Sequence, residues 1–235
     1  MRTIPSLKHL AATALLIAFT GCITIEENYS FKKNGSGTME YVVDLSELGD
    51  IMKSVNAAAD SEAKKDDDLG TMDMNDEVAA LKGIAGISKV KLDTKTEWVQ
   101  KVRFSFKDIS SLNAALNVLM PDSTGTPTTF FSWDGNTLVR SNNRHAYEIG
   151  AGMAKGGEEE EGAEEGDENG MDMSTILASM KYKYSFKFAQ STGETTAAPG
   201  VVVEQHGTKE VAMSTDFGVI SKDPKALDLR IPLVK

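Results

Sequence analysis

Apolar and polar residues alternate along several short stretches of this chain, which is the pattern of a β-strand with one buried face. In residues 182–188 aromatic side chains alternate with lysine and serine. Similar patterns or short apolar runs predict strands over residues 23–26, 29–31, 39–43, 90–92, 98–106, 130–133, 138–140, 182–188, 201–203, 209–213 and 227–233. Turn sequences over residues 34–37 and 134–136 predict two hairpins.

Apolar residues recur at helical spacing in four other stretches. Residues 45–55, 75–82, 174–180 and the segment between Asp108 and Pro121 predict short helices. Asp108 is a suitable N-cap, and Pro121 cannot continue a helix. Short helices interspersed among strands predict an α+β fold with a largely antiparallel sheet.

Two stretches are strongly acidic and contain few β-branched or aromatic residues. Residues 60–77 carry eight acids and two lysines, and residues 150–173 carry nine acids and one lysine. Such segments bury too little apolar surface to offset their ordering entropy, so we predict two disordered acidic loops. The expected organisation is a leader at 1–21, an α+β domain at 22–149 with acidic loop 60–77, a disordered linker at 150–173, and a helix plus strands at 174–235. This last part either completes the sheet or forms a small subdomain.

The first twenty-two residues have the features of a secretory signal. Arg2 and Lys8 precede an apolar run at residues 10–19, which is too short to span a bilayer comfortably. The run ends in Phe19-Thr20-Gly21-Cys22, and Cys22 is the one cysteine of the chain. Small residues directly before a cysteine resemble the lipobox of bacterial lipoproteins. An ordinary signal peptide followed by a coincidental cysteine is the alternative.

The lipobox resemblance implies that Cys22 carries a diacylglycerol and that the new amino terminus carries a further acyl chain such as palmitate. One short acyl chain is a marginal anchor, whereas two or three hold a protein on a membrane. Cys22 is followed by Ile23 rather than by Asp, the residue that retains some lipoproteins at the inner membrane. We therefore expect a lipid-anchored protein of the cell envelope at the outer membrane. Both leaflets of that membrane remain alternatives for the anchor. The alternation of apolar and polar residues starts at Ile23, directly after the proposed anchor. The folded body should therefore lie close to the lipid headgroups.

The net charge and the cysteine count exclude several classes of protein. The whole chain carries 25 Lys and Arg against 35 Asp and Glu, a formal charge of −10. A nucleic-acid partner is therefore not expected. A single cysteine excludes an internal disulfide framework and a cysteine-rich zinc site.

The sequence contains no recognisable catalytic motif, so we predict a protein that is not an enzyme and has no cofactor or metal. His145 and His206 each lie in a polar stretch, where isolated surface histidines are expected. Residues 66–77 have the length of an EF-hand loop, but glycine stands at the fifth position and not at the sixth. Two Met-x-Met pairs could bind Cu(I), although methionines that fill the core are the simpler interpretation.

Cations repeat on the polar side of the predicted strands and suggest a basic sheet face. Alternation places them together on the side opposite the apolar residues. The predicted face contains Lys32, Lys89, Lys91, Lys101, Arg103, Lys107, Lys181, Lys183 and Lys187. Neighbouring strands would then form a ladder of like charges, which destabilises a sheet unless something offsets it. The lysines either keep the strands soluble and block edge aggregation, or bind an anion such as a lipid headgroup, an acidic glycan or the protein's own acidic loops.

A second resemblance concerns the folded body. The spacing of Tyr29, Phe31, residues 34–37 and Glu40, followed by residues 44–46, resembles the opening of the LppM-type bacterial lipoprotein domain. The elements around Phe106, Asp108 and Leu112 and the strand with Phe131 and Trp133 fit the same layout, so the similarity spans residues 22–146. It implies a membrane-anchored, non-catalytic α+β protein in contact with lipids or glycolipids, with no catalytic residues to carry over.

Together these patterns predict a non-enzymatic, lipid-anchored envelope protein that binds or scaffolds at the membrane surface. The expected ligand is an anionic lipid or glycan on the basic sheet face. The alternatives are an accessory subunit of an envelope protein complex and an envelope protein that binds a divalent metal or Cu(I).

Overall fold

The structure is a computed structural model and describes residues 23–50, 53, 73–156 and 173–234. The strands are β1 Thr24–Phe31, β2 Gly37–Asp44, β3 Ile87–Asp93, β4 Val99–Phe106, β5 Phe131–Asp134, β6 Thr137–Arg140, β7 Lys181–Phe188, β8 Ser191–Thr192, β9 Thr196–Ala197, β10 Val202–His206, β11 Glu210–Asp216 and β12 Leu229–Val234. The helices are α1 Asn75–Lys82, α2 Ile109–Leu119, α3 Arg144–Gly156, α4 Met173–Ser179 and α5 Phe217–Ile220. Residues 46–50 are also helical.

The larger sheet has seven strands in the order β10-β11-β7-β1-β2-β4-β3. All neighbours are antiparallel except β1 and β7, which run parallel with Thr24 opposite Lys181 and Phe31 opposite Phe188. The predicted α+β fold with a largely antiparallel sheet is confirmed. The first strand of the folded body is also the central strand of this sheet.

A smaller five-stranded sheet covers one face of the larger one. Its path is β5-β6-β12-β8, and β9 also pairs with β12. Phe131 of β5 lies edge-on to Tyr29 of β1, with ring centroids 5.0 Å apart. We call the face of the large sheet that meets these strands the inner face, and the opposite side the outer face.

The core lies between the two sheets and the helices and consists of the inner-face residues. Exposure alternates without a break along β1, so Ile25, Tyr29 and Phe31 are buried. Tyr29 stacks on Phe186, and Phe31 stacks on Phe188, with centroid distances of 5.1 Å and 5.4 Å. Aromatic pairs of this kind add roughly 0.5–1.5 kcal/mol to the free energy of area burial.

Gly37 explains how the first hairpin closes. A Cβ atom at this position would lie 2.0 Å from the backbone oxygen of Ser30 and 2.5 Å from Cζ of Phe106. No side chain fits there, because both strands and the Phe106 ring approach the Gly37 backbone closely. The turn before it uses Gly35 with a φ of 80°, a value that glycine adopts readily.

The predicted cap of α2 is confirmed. The Asp108 carboxylate accepts a hydrogen bond from the Ser111 backbone N–H at 2.9 Å, and Ser111 Oγ accepts one from the Asp108 N–H at 3.1 Å. These reciprocal bonds satisfy two of the donors that the start of a helix leaves free.

The predicted boundary at residue 150 is wrong, because it falls inside a helix. α3 continues to Gly156, and a Cβ atom on Gly150 would lie 3.3 Å from the Phe217 ring. Gly150, one of the glycines that suggested a linker here, allows α3 to pack closely on α5. The predicted disorder at residues 75–77 is also wrong, because these residues form the first turn of α1. The remaining predicted disorder at residues 60–72 and 157–172 lies outside the described residues, as does Cys22. Among the described helices, none combines the length and the apolar character needed to cross a membrane.

Candidate functional site

The outer face of the large sheet carries most of the cations that the sequence singled out. Alternation along the strands places Lys181, Lys183 and Lys187 of β7 on this face, together with Lys101 and Arg103 of β4. The acids of the neighbouring strands lie on the same face. They are Glu26, Glu40, Asp44, Glu210 and Asp216.

The predicted ladder of like charges is wrong from β11 to β4, where cations and acids alternate across the strands, although Lys91 of β3 does lie opposite Arg103 of β4. Arg103 forms an ion pair with Glu40. Three pairs flank β7, with Nζ–carboxylate distances of 3.4 Å for Lys183–Glu26, 3.6 Å for Lys187–Glu210 and 3.8 Å for Lys181–Asp216. Opposite charges on directly neighbouring strands stabilise a sheet, so these four pairs offset the repulsion among their own cations.

The other five predicted cations lie towards the β3 edge and one end of the sheet. Lys89 has a φ of 57° at a register shift in β3, and Lys91 lies opposite Arg103. Lys101 lies opposite Val42 and Asp93. Lys32 and Lys107 directly follow β1 and β4. Within the ranges that the structure covers, none of the five has an ion-pair partner within 4 Å.

Two adjoining hollows form a groove on the outer face, and they share Asn28 and Ser185. The first, of about 290 Å³, extends towards β10 and is also bounded by Glu26, Lys183 and Val202. The second, of about 250 Å³, extends towards β4 and is lined by the residues Ser30, Thr38, Glu40, Arg103, Lys187 and Glu210, among others. The groove exists because short side chains in the centre of the face are flanked by long charged ones.

The groove offers both hydrogen-bond donors and hydrogen-bond acceptors, and the charges of its lining residues nearly cancel. Asn28, Ser30 and Ser185 supply amide and hydroxyl groups on its floor, and each of these residues is half-buried. The walls are ion pairs with substantial exposure, since the side chains of Lys187 and Arg103 are 68% and 64% exposed. Exposed pairs contribute little to stability, about 0–1 kcal/mol, so a ligand can replace one partner at little cost.

A second polar cluster lies between the two sheets and is fully buried. Arg140 Nη2 of β6 donates to Glu27 Oε1 of β1 at 2.8 Å, and both side chains are 0% exposed. Tyr29 and Tyr182 donate their hydroxyl hydrogens to the same carboxylate. Arg140 Nε donates to the Tyr184 hydroxyl at 2.8 Å. We call these five residues the inter-sheet cluster, because Arg140 belongs to the small sheet and the other four to the large one.

Burial and charge shift the pKa values in the inter-sheet cluster. Burial raises the pKa of Tyr29 and Tyr182, and the Glu27 carboxylate raises both further. For Arg140, burial opposes the charge most strongly, but the attractions of Glu27, Tyr184, Tyr29 and Tyr182 together outweigh it, so the pKa lies above its ordinary value. The guanidinium also lies over the Tyr184 ring at 4.8 Å and the Phe131 ring at 4.9 Å. The cluster therefore keeps protonated phenols and one charge pair, which suits a structural connection.

The predicted surface position of His145 is wrong. His145 lies on α3, is 6% exposed, and its Nε2 is 3.1 Å from the Tyr182 hydroxyl. Because Tyr182 donates to Glu27, His145 must donate from Nε2, and Nδ1 has no partner among the described residues. Burial, with the nearby Arg140 charge, lowers the pKa of His145 to about 3. His206, in contrast, is exposed on β10, 3.4 Å from Glu204.

The sequence contained a signal for the inter-sheet cluster that the prediction missed. Glu27 stands in phase with Ile25 and Tyr29, and Arg140 stands in phase with Leu138. A charged residue at an apolar position of a strand is expected to be paired if it is buried. The alternation alone could therefore have indicated that Glu27 and Arg140 have buried partners.

The described residues do not group as a metal site. Among them, no three His, Cys, Asp or Glu side chains come together as ligands would. Met74 is buried in the core, in line with the simpler interpretation of that methionine pair. Most of the EF-hand-length stretch at residues 66–77 lies in the part of the chain that is not described.

Comparisons with known proteins give one similar structure. No protein-family model matches the chain, and no curated protein sequence matches it. The folded domain of the LppM protein of Mycobacterium tuberculosis, determined by NMR, has 8% sequence identity and a TM-score of 0.42, over 94% of this chain and 95% of that one. The α+β fold class follows from the strand pairing of this chain itself.

Proposed function

We propose that this chain is a non-enzymatic, lipid-anchored envelope protein that binds a hydroxyl-rich ligand, a glycan or a glycosylated headgroup, in the groove of its outer face. The groove carries the proposal, because it joins fixed amide and hydroxyl groups to charge-paired walls. Sugars present many hydroxyls that both donate and accept, so a floor with both functions fits them. A purely anionic ligand would have to displace acids from their pairs.

The position of Cys22 supports a short and rigid connection to the membrane. β1 begins at Thr24, two residues after Cys22, and the Ile23 carbonyl accepts a hydrogen bond from the Lys181 N–H at 2.9 Å. The anchor would thus attach to the end of the central strand of the large sheet. We call that end of the sheet the anchored end. Ile23 in place of Asp supports placement at the outer membrane.

The groove is tested by filling it. Ser185→Ile places a branched side chain on the groove floor, and Ser105→Ile makes the same change on the outer face outside the groove. Both variants are made in the mature chain with Cys22→Ser, so that acyl chains do not cause binding. Binding is measured to phosphatidylcholine vesicles alone, with a neutral multi-hexose glycolipid, and with phosphatidylglycerol.

We expect binding to the glycolipid vesicles that Ser185→Ile abolishes and Ser105→Ile retains. Binding to phosphatidylglycerol alone would instead favour an anionic lipid as the ligand. Equal binding by both variants would contradict a ligand in the groove.

A second function, as an accessory subunit of an envelope complex, is supported by the exposed edge strand β10. All five of its residues are exposed, and Val202 is 56% exposed. Free strand edges pair with strands of other proteins. The opposite edge is less available, because β3 has a register shift and the exposed cations Lys89 and Lys91.

The accessory role is tested by co-purification from detergent-solubilised membranes. Val202→Lys alters the edge, and Val234→Lys is the control at another exposed valine. A partner present at equal amounts with wild type and Val234→Lys, and lost with Val202→Lys, is the expected result. A partner retained by Val202→Lys would contradict edge pairing.

A further inference from the structure

Three exposed lysines lie in a row at the end of the large sheet opposite the anchored end. Lys209 directly precedes β11, Lys32 follows β1 and Lys107 follows β4. The Phe188 N–H donates a hydrogen bond to the Lys209 carbonyl, and the Ala189 N–H donates one to the Phe31 carbonyl. These two bonds place Lys209 and Lys32 at the same height along the strands. Gly37 lies opposite both Phe31 and Phe106, which brings Lys107 to the same level. We call these three residues the far rim.

The spacing of the far rim is regular. In the strand order β11-β7-β1-β2-β4, each lysine is separated from the next by one intervening strand. Strands lie about 4.8 Å apart, so the backbones at these three positions stand about 10 Å apart and the row covers roughly 19 Å. Between Lys32 and Lys107 the first hairpin presents Ser36, whose hydroxyl donates to the Asn34 side chain at 2.8 Å.

The far rim keeps its positive charge. In the part of the chain that is described, the three lysines form no ion pair within 4 Å. The nearby acids are engaged elsewhere, since Asp108 accepts from the Ser111 N–H at 2.9 Å and Glu210 lies 3.6 Å from Lys187. Lys33, next to Lys32, is also exposed and adds to the charge.

The anchored end carries charges of both signs. Asp44 and Asp216 end β2 and β11 there, and Asp93 and Glu97 flank the turn between β3 and β4. Cations accompany these acids, since Lys53 lies 2.7 Å from Glu97, Lys181 lies 3.8 Å from Asp216 and Lys101 lies opposite Asp93. The described residues therefore carry charges of both signs where Cys22 would anchor the sheet, whereas the far rim is basic.

We infer that the far rim binds a linear anionic polysaccharide that crosses the strand ends on the side away from the anchoring membrane. The orientation rests on the proposed acylation of Cys22, whereas the binding itself does not. Eight residues of β1 separate the two ends, or about 26 Å at ~3.3 Å per residue. This distance exceeds the physiological Debye length of about 8 Å, so headgroups of the anchoring membrane do not act on the far rim.

An extended polymer matches the geometry better than a single small anion. Neither hollow of the groove includes these lysines, and each exposed contact is weak by itself. Anions repeated along one chain add their contacts, because the first contact raises the effective concentration of the next. Carboxylates on a linear polysaccharide can meet successive lysines in the row.

The experiment measures binding of fluorescent polygalacturonate to the full mature chain purified from membranes in neutral detergent, and to the same chain with Cys22→Ser. The rim variant combines Lys32→Glu, Lys107→Glu and Lys209→Glu. The control variant combines Lys95→Glu, Lys222→Glu and Lys225→Glu, which change the net charge equally at other exposed lysines. Circular dichroism verifies that both variants are folded.

We expect wild type and the control variant to bind polygalacturonate and to bind it more weakly as salt rises. The rim variant should bind at least about tenfold more weakly, and neutral dextran should not compete. Equal binding by the rim and control variants, competition by dextran, or no binding by wild type at low salt would overturn the proposal. If both chains bind polygalacturonate but Cys22 of the membrane-purified chain carries no acyl group, the proposed anchor is refuted and the far-rim proposal stands.

Discussion

The Glu27–Arg140 pair should be the most sensitive polar contact of the described fold. Glu27→Gln keeps the shape of the side chain but removes the counter-charge of a guanidinium that is 0% exposed. Breaking a buried pair on one side costs about 3–5 kcal/mol, because the remaining charge stays buried and unpaired. The free energy of unfolding of a domain is about 5–15 kcal/mol, so Glu27→Gln should remove a large share of it.

Equilibrium unfolding in urea measures this effect through the free energy of unfolding extrapolated to water. Lys183→Gln is the matched control, because it removes one partner of the Lys183–Glu26 pair, whose side chains are 47% and 33% exposed. That change should cost no more than about 1 kcal/mol. The double variant Glu27→Gln with Arg140→Gln should be less destabilised than the sum of the two single variants, by more than about 1 kcal/mol.

A cost for Glu27→Gln no larger than that for Lys183→Gln would refute this reasoning. The inter-sheet cluster would then not connect the two sheets, and the edge-on contact of the Tyr29 and Phe131 rings would have to hold them together.

Three further predictions concern stability. The folded-state pKa of His145, about 3, lies below the usual value near 6.5, so the unfolded chain binds the extra proton and stability falls as pH drops through that window. Lowering the pH from 7.5 to 5 should therefore reduce the free energy of unfolding by about 2 kcal/mol through His145. Urea unfolding of His145→Phe should lack this part of the pH dependence, and an unchanged pH dependence would contradict a buried neutral imidazole. Asp108→Ala should lower the free energy of unfolding by about 1 kcal/mol through loss of the α2 cap, and no change would mean that Ser111 caps the helix without it. Gly37→Ala should lower the thermal midpoint far more than Gly152→Ala, because only at Gly37 would the added Cβ lie 2.0 Å from a backbone atom, and similar midpoints would contradict the close approach at Ser30.

Much of the fold could be predicted because alternation records which face of a strand is buried. Residues 182–188 alternate perfectly and form β7, and the turn at residues 34–37 joins β1 to β2. α3 was missed because its sequence is polar at its start and rich in glycine towards its end. Its helical form depends on packing against α5, which local propensity does not contain.

The candidate site could be predicted only in part. Alternation shows on which face of a strand a side chain lies, but not which residue lies beside it on the next strand. The sequence placed Lys183 and Lys187 on the outer face correctly. It could not show that the parallel pairing of β7 with β1 puts Glu26 beside Lys183, since those residues are far apart in the chain. The same limit hid the groove, which requires Asn28 and Ser185 to be neighbours across two strands.

The most direct test of the account is the intact mass of the mature protein isolated from the membranes of its own cells. The account predicts a chain that begins at Cys22, carries a diacylglycerol on the thiol and an acyl chain on the amino terminus, and partitions into detergent. Cys22→Ser should move the protein to the aqueous fraction. An unmodified Cys22 in a protein already recovered from aqueous extracts would contradict the account.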